Sequence, residues 1–520
     1  MTQEKLESNY SQEAGKDSRK RSTIIFSALT IVSRATGLLR VMLLAAALSL
    51  SRLNDAFNVA NVLPHMIYEF VLGGILTAAF IPIFVPYLEN EEKRKEGWRV
   101  ANILFGTISL WLGVISLIAS IFSPYLIYLQ TLFAEQPKDR LMAIYFFRWF
   151  AFQIILYGIS SFFSGLLNAY HRFAITAVAP IFNNIIAIFT FFLYLKFPSF
   201  GVTGLAIGTT LGVAVMALIQ LPPLIKLGWR PHPIFLLKDP VVKQFFKLGI
   251  PVVGYVAINQ IGFLVRTNLA YPIEGGFSAL QIGFNFFNLP YGIFAVAITT
   301  VIFPALSKAG SEKDWINYRS ITSQGFRWIA IALFPASALL FILSEPSVIL
   351  LMEYGRFTGR DVEFLSKVIS AYALGIVPYG FFMFLTRSFY ALKDTKTPMV
   401  INSIGVGFNI IGNIIIVKYF GVEGIALMVG VTYLIMIIIG LRNLQKHVGA
   451  FSYREFGKTI LYITILTILC SLAAYYLKHN LVLSGPRKFV AGGTFIIPAL
   501  VFLIFYSIGI FLHFRVKKEK

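Results

Sequence analysis

Apolar runs of 20 or more residues, each bounded by charge clusters, proline or glycine, recur along the whole chain. A helix needs a run of that length to cross the roughly 30 Å of hydrocarbon in a bilayer. The approximate bounds are 24–49, 57–88, 98–126, 141–170, 173–196, 201–226, 242–271, 277–307, 315–343, 364–391, 397–419, 421–445, 455–477 and 489–514. Of the 520 residues 57% are apolar and only 13% charged, and the mean hydropathy is +0.74. The sequence therefore predicts an all-α integral membrane protein of about 14 transmembrane helices. The longest hydrophilic pieces are the first 22 residues and the connection from Lys226 to Lys247, which leave no room for a soluble catalytic domain.

The formal net charge is +21. In a soluble protein that would point to nucleic acid, but here the position of each basic residue decides, and no nucleic-acid partner is expected. Alternate loops carry the Lys and Arg. With the N-terminus placed in the cytoplasm, inward-facing segments hold about 28 of the 45 and outward-facing ones about 11. Both termini are thus expected on the cytoplasmic side. No cleavable signal is evident, because the first apolar run is long, follows a polar tail and lacks a small-residue cleavage site. The single cysteine, Cys470, lies in the thirteenth run and has no partner for an internal disulfide.

An internal repeat is the next signal. "LYGISSFFSGLLNAYHRF" (156–173) aligns without gaps to "PYGFFMFLTRSFYALKDT" (378–395) at an offset of 222, and the same offset pairs Thr77 and Pro82 with Thr299 and Pro304. "FGVTGLAIG" (200–208) matches "FGVEGIALM" (420–428) with a two-residue slip. The expected organisation is a cytoplasmic tail (1–22), an N-lobe of helices 1–6 (23–226), a cytoplasmic linker (227–241), a C-lobe of helices 7–12 (242–446), two further helices (455–514) and a basic tail (515–520). Six spans per copy give the two lobes one orientation, with a binding cleft expected between them. Pro64, Pro82, Pro290, Pro304 and Pro378 are expected to free carbonyls and bend their helices, which suits a transporter. Gly204, Gly208 and Gly212 read as a close helix contact.

Charge inside the spans locates the candidate site. "VSRATGLLRVMLLAAALSL" (32–50) carries Arg34 and Arg40. On a helix, Ser33, Thr36, Gly37 and Arg40 fall within about 100° of one another, while Arg34 lies about 120° from Arg40 and about 9 Å lower. A charge deep in a span costs from about 2.5 to over 10 kcal/mol, so it faces a wet cavity or a partner unless it snorkels. Arg34 is close enough to the cytoplasmic end for either; Arg40 favours the cavity. Arg266 lies in the seventh run, the repeat counterpart of the first, and is assigned to the cavity, whereas Arg148 and Arg327 lie nearer span ends and read as structural. Arg387 pairs either with the lone mid-span acid, Glu69, or with a lipid phosphate. Asp55, opening the second run, either caps that helix or forms a functional ion pair. A surplus of Arg suits an anionic phosphate or diphosphate that guanidinium forks grip, and suits a cationic drug poorly. No HExxH, GxSxG or paired-acid arrangement appears, so neither catalysis nor a metal or other cofactor is expected.

"SRATGLLR", "NDAFNVANVLP", "GGILTAAFIPIF", "LPYGIFAVAITTVIFPALSK", "LMEYGRFT" and "YALKDTKTP", in that order, resemble the MurJ (MviN) lipid II flippases of the multidrug/oligosaccharidyl-lipid/polysaccharide superfamily over essentially the whole chain. The resemblance implies two six-helix lobes around a cationic cavity, with helices 13 and 14 forming a groove for a polyprenyl tail. It implies alternating-access transfer of the undecaprenyl-diphosphate-linked peptidoglycan precursor from the inner to the outer leaflet. The expected partners are that lipid or a similar polyprenyl-diphosphate glycan, membrane lipids and the cell-wall synthesis machinery. Ser33, Arg34, Gly37 and Arg40 match the family's first-helix motif, and Asp55 its acid at the start of helix 2. The chain departs at Val41, at Tyr68 and Glu69 of "LPHMIYEF", and at Asn285 of "GFNFFNLP", where many members carry an acid, a base and an arginine respectively. Either Arg266 with Asn61, Asn285 and Asn288 replaces the missing arginines, or the substrate is another polyprenyl-diphosphate glycan. A multidrug exporter or a non-transporting membrane scaffold is the remaining alternative.

Overall fold

The computed structural model describes residues 29–73, 83–88, 91–134, 138–451 and 453–518, and among these every regular element is helical. Among the described residues nine helices are long and apolar enough to cross a membrane, or eleven when each of two bent pairs counts as one span. The tally falls below fourteen partly because Lys396–Val448 is counted once, although Gly421 breaks it with φ 55° and ψ −139°, a conformation that favours glycine. The bent pairs are Lys138–Phe150 with Gln153–Ala169, at 41°, and Gly359–Ala373 with Ile376–Ala391, at 42°. Pro378 sits in the first turn after the second bend, where its missing N–H costs no helical hydrogen bond.

The described residues form two compact units, one spanning Met1–Ala47, Ala56–Leu132 and Gln136–Gln260, the other Leu48–Asp55, Phe133–Glu135 and Ile261–Lys520. In the first, four rings fill the core: Phe57 packs edge-on to Phe146, Phe150 and Phe191 at centroid distances of 5.3–5.9 Å. Close backbone approach does the rest. A Cβ on Gly208 would overlap Thr190, and one on Gly212 would lie 2.6 Å from Asn183 Oδ1, so these two glycines let Gly201–Leu218 press onto Phe173–Lys196. Gly204 meets its own Phe200. The segment after Lys226 is fastened rather than loose. Trp229 is fully buried, its Nε1 donates to Asn102 Oδ1 (2.9 Å), and the Ile234 N–H donates to the Asn102 carbonyl (3.1 Å).

In the second unit Trp315–Ile342 packs on Tyr453–Asn480 and Arg487–Lys518 through Ala330, Ile463, Cys470, Ala474, Phe502 and Tyr506. The opposite face of Tyr453–Asn480 exposes Leu461, Ile465, Leu469, Leu472 and Tyr476. An apolar stripe at helical spacing is stable when lipid covers it. A five-residue π-helical stretch occurs in each unit, Glu69–Gly73 following Arg52–Tyr68 and Tyr291–Ala295 between Gly276–Pro290 and Val296–Ser311. Residues 69 and 291 stand at the 222-residue repeat offset, so the duplication extends to a backbone irregularity of a kind common at functional sites. The expected pairing of Thr77 and Pro82 lies outside the described residues.

Gly106 tests the fastening of the post-helix segment, since a Cβ there would lie 2.5 Å from the Ile234 carbonyl oxygen. Gly106→Ala should destabilise the protein by about 1–3 kcal/mol, read as a lower Tm in detergent. Gly254→Ala, with nothing within 4 Å of the added methyl, should leave Tm unchanged or slightly higher.

Candidate functional site

In the first unit the polar stripe of Leu29–Leu48 is used mainly for packing. Asn184 Nδ2 donates to the Ser33 carbonyl (3.2 Å) and to Thr36 Oγ1 (3.1 Å), and a Cβ on Gly37 would stand 3.6 Å from the same nitrogen. Asn184 was not singled out by the sequence, where it is one polar residue in an apolar helix. Ser33 therefore contributes its backbone carbonyl to a helix contact. Arg34 is exposed and Arg40 half-buried.

Arg40 lies within electrostatic reach of the Tyr157 phenol. The Tyr157 ring meets His65 edge-on at 5.3 Å and Tyr68 at 6.2 Å, the Tyr68 hydroxyl hydrogen-bonds Ser161, and His65 Nε2 is 3.9 Å from Glu69 Oε1. Asn61, His65 and Glu69 follow one another at four-residue spacing, which places Asn61 and His65 on one helix face. Arg40, Tyr157, His65, Tyr68 and Glu69 thus make one polar cluster, in which Arg40 and Glu69 stand out from sequence as charges within apolar runs. Sequence alone cannot choose Tyr157 and His65, because their nearness is tertiary.

In the second unit Arg266 is half-buried with its guanidinium over the rings of Phe263 (5.0 Å) and Phe284 (5.9 Å), and it is within electrostatic reach of Tyr372. The Tyr372 hydroxyl is buried with no hydrogen-bond partner among the described residues. No carboxylate lies within 4.0 Å of Arg266 among them either, so aromatic faces hold the cation and leave its N–H fork available to an anion. Asn285 is exposed and Asn288 half-buried; each donates back to its own helix, to the Gln281 carbonyl (2.8 Å) and the Phe284 carbonyl (3.0 Å). One N–H of each amide is thereby committed, which makes them weaker anion holders than arginine. Arg387 is exposed beside Tyr390 (5.9 Å) and lines a cavity of about 250 Å³ with Tyr291, Thr299 and Thr300. Of the two arginines read as structural, Arg148 Nε donates to Ser123 Oγ (3.4 Å), whereas Arg327 Nε is buried without a partner among the described residues.

Asp55 has a definite structural task. Fully buried, it accepts from the Gly275 N–H (2.7 Å), the Ser278 N–H (2.9 Å) and Ser278 Oγ (2.8 Å). It therefore caps the first turn of Gly276–Pro290, a helix 220 residues away in sequence, in addition to standing in the first turn of its own. Three residues earlier, the Arg52 guanidinium donates to the Tyr271 and Pro272 carbonyls, both at 2.6 Å. Gly275 allows this approach: its φ is 74°, and a Cβ would lie 2.5 Å from the Leu50 carbonyl oxygen. Asp55→Ala would strand buried donors at about 1–3 kcal/mol each, so Tm should fall clearly, with Asp55→Asn intermediate. An Asp55→Ala protein as stable as the wild type would mean that the cap is not used.

A family model described as "Lipid II flippase MurJ" matches residues 44–489. A probable lipid II flippase MurJ of Buchnera aphidicola is 28% identical over 459 residues, covering 88% of this chain and 89% of the relative. The lipid II flippase MurJ of Burkholderia cenocepacia is 27% identical over 442 residues, covering 81% and 84%. Among solved structures, a lipid II flippase MurJ in an inward closed conformation superposes with a TM-score of 0.78 at 26% identity, over 93% of this chain and 98% of that one. An inward-facing multidrug transporter of the MATE family, at TM-score 0.65 and 15% identity over 84% and 99%, shares the fold alone. With most of its length matched by the family model, the chain belongs to the lipid II flippase MurJ family.

Proposed function

We propose that this protein transfers lipid II, the undecaprenyl-diphosphate-linked peptidoglycan precursor, from the inner to the outer leaflet of a bacterial inner membrane by alternating access. The match over residues 44–489 carries this reading. Arg40 and Arg266, with Arg34 at the entrance, are the groups assigned to the diphosphate; Arg266, held by rings and free of any carboxylate within 4.0 Å among the described residues, is the best prepared. Ser33 and Gly37 act through the helix contact that sets the orientation of Arg40. The repeat segments 23–226 and 242–446 contribute Arg40 and Arg266 respectively, and Arg487–Lys518 with the face of Tyr453–Asn480 that exposes Leu461, Ile465 and Leu469 offers the apolar surface for the polyprenyl tail. The loop asymmetry in Lys and Arg supports cytoplasmic termini. Partnership with the cell-wall synthesis machinery follows from the product rather than from any surface feature. Tyr68 and Asn285, where the family resemblance leads one to expect basic side chains, favour a second reading with a different polyprenyl-diphosphate glycan.

Arg40→Ala removes a phosphate-holding charge and little packing, so it should reach the membrane in normal amount yet fail to rescue a bacterium depleted of its own flippase. Full rescue would sink the assignment. Arg266→Cys in a Cys470→Ser background should react with a membrane-impermeant thiol reagent, more slowly when lipid II is present. Absence of labelling, or labelling indifferent to lipid II, would place Arg266 against lipid or protein.

A further inference from the structure

The second unit contains two adjoining chambers that share no lining residue with Arg266 or Arg387. They have Phe341, Ile342, Leu374 and Tyr475 in common, so they lie side by side. The first, about 660 Å³, is almost wholly apolar and follows Tyr453–Asn480 from Ile460 to Tyr475, a length of about 22 Å at 1.5 Å per residue. The second, about 750 Å³, is lined by Glu345, Lys367, Glu423, Lys478 and His479 together with serine hydroxyls. It lies where Trp315–Ile342 ends, where Lys396–Val448 breaks at Gly421 and where Tyr453–Asn480 nears its end. That places a polar chamber at one end of the bundle above an apolar one that runs along the spans.

The charges of the polar chamber are balanced rather than cationic. Lys478 donates to Glu345 Oε2 (3.3 Å) and to the Ile342 carbonyl (3.2 Å), and Lys367 to Glu363 Oε1 (2.7 Å). Glu423, half-buried in the wall, has no cation within 4.0 Å among the described residues. A purely anionic headgroup would meet Glu345 and Glu423 as well as the lysines. A zwitterionic one would set its ammonium against Glu423 and its phosphate against Lys478, Lys367 and the serines, with an acyl chain in the apolar chamber. We propose that these two chambers bind a bilayer phospholipid with a primary-amine zwitterionic headgroup, at a site separate from the groups assigned to lipid II.

The test is native mass spectrometry of the full-length protein in detergent, titrated with phosphatidylethanolamine, phosphatidylglycerol, phosphatidylcholine and undecaprenyl phosphate. The wild type should hold phosphatidylethanolamine about fivefold more tightly than phosphatidylglycerol, the worth of one partly exposed ion pair. Phosphatidylcholine, which keeps the charge but has no ammonium N–H to donate, should bind more weakly than phosphatidylethanolamine. Glu423→Gln should erase the preference, and Ser471→Trp, which fills the apolar chamber, should weaken every phospholipid adduct at unchanged Tm. Equal affinity of the wild type for the first three lipids would overturn the proposal without recourse to any variant. So would a preference that survives Glu423→Gln, or displacement of phosphatidylethanolamine by an equal concentration of undecaprenyl phosphate, which would make the chambers a polyprenyl site.

Discussion

Arg52 and Asp55, one helical turn of sequence, serve both open ends of a helix–turn–helix: the carbonyls of Tyr271 and Pro272 on one side, the N–H groups of Gly275 and Ser278 on the other. A helix end leaves backbone groups without partners, and little water reaches them inside a packed helical bundle. The rest of the architecture answers to the same requirement. Asn102 Oδ1 serves the Trp229 indole and the His232 amide, Asn184 the Ser33 carbonyl, and Tyr318 the Ser388 carbonyl. Each is a polar side chain in an apolar helix, spent on a backbone or ring donor or acceptor brought near by the fold.

This explains what was legible in the sequence. Hydrophobic run length is a local property, and the helices followed from it, as did the glycine contact of Gly208 and Gly212. The duplication was also readable, because two copies can be compared without a structure, and the π-helical stretches at residues 69 and 291 fall at the same offset. Partners were not legible. Asp55 could be seen to open a helix, but the donors it accepts from lie 220 and 223 residues downstream. His65 and Tyr157 carry no motif, and only packing brings them to Tyr68 and, through Tyr157, to Arg40. Among the candidate binding residues, Asn285 and Asn288 matched an expectation of polar replacement, yet their amides are partly committed to their own helix.

The two arginines that remain are held differently, and the difference bears on mechanism. Arg40 lies within electrostatic reach of the Tyr157 phenol, whereas Arg266 rests on two phenylalanine faces. A guanidinium on aromatic rings keeps its charge and its in-plane donors, which suits repeated capture and release of a diphosphate better than a carboxylate partner that must be displaced each time. A diphosphate carries about two negative charges, and each gains about 2.3 kcal/mol per 100 mV on leaving a negative interior. While bound, the diphosphate's charge is offset by the arginines that hold it, so on the proposed function the potential acts on the return of the empty cationic site, and the cycle as a whole carries about two negative charges outward in the favoured direction.

The most direct test is a transport measurement on the purified protein in liposomes loaded with lipid II, with the precursor counted as it reaches the outer leaflet under an imposed interior-negative potential and no pH gradient. The account predicts that flipping accelerates with the potential and is lost in Arg40→Ala and in Arg266→Ala. Flipping at the wild-type rate in both variants, or a rate indifferent to potential, would contradict it.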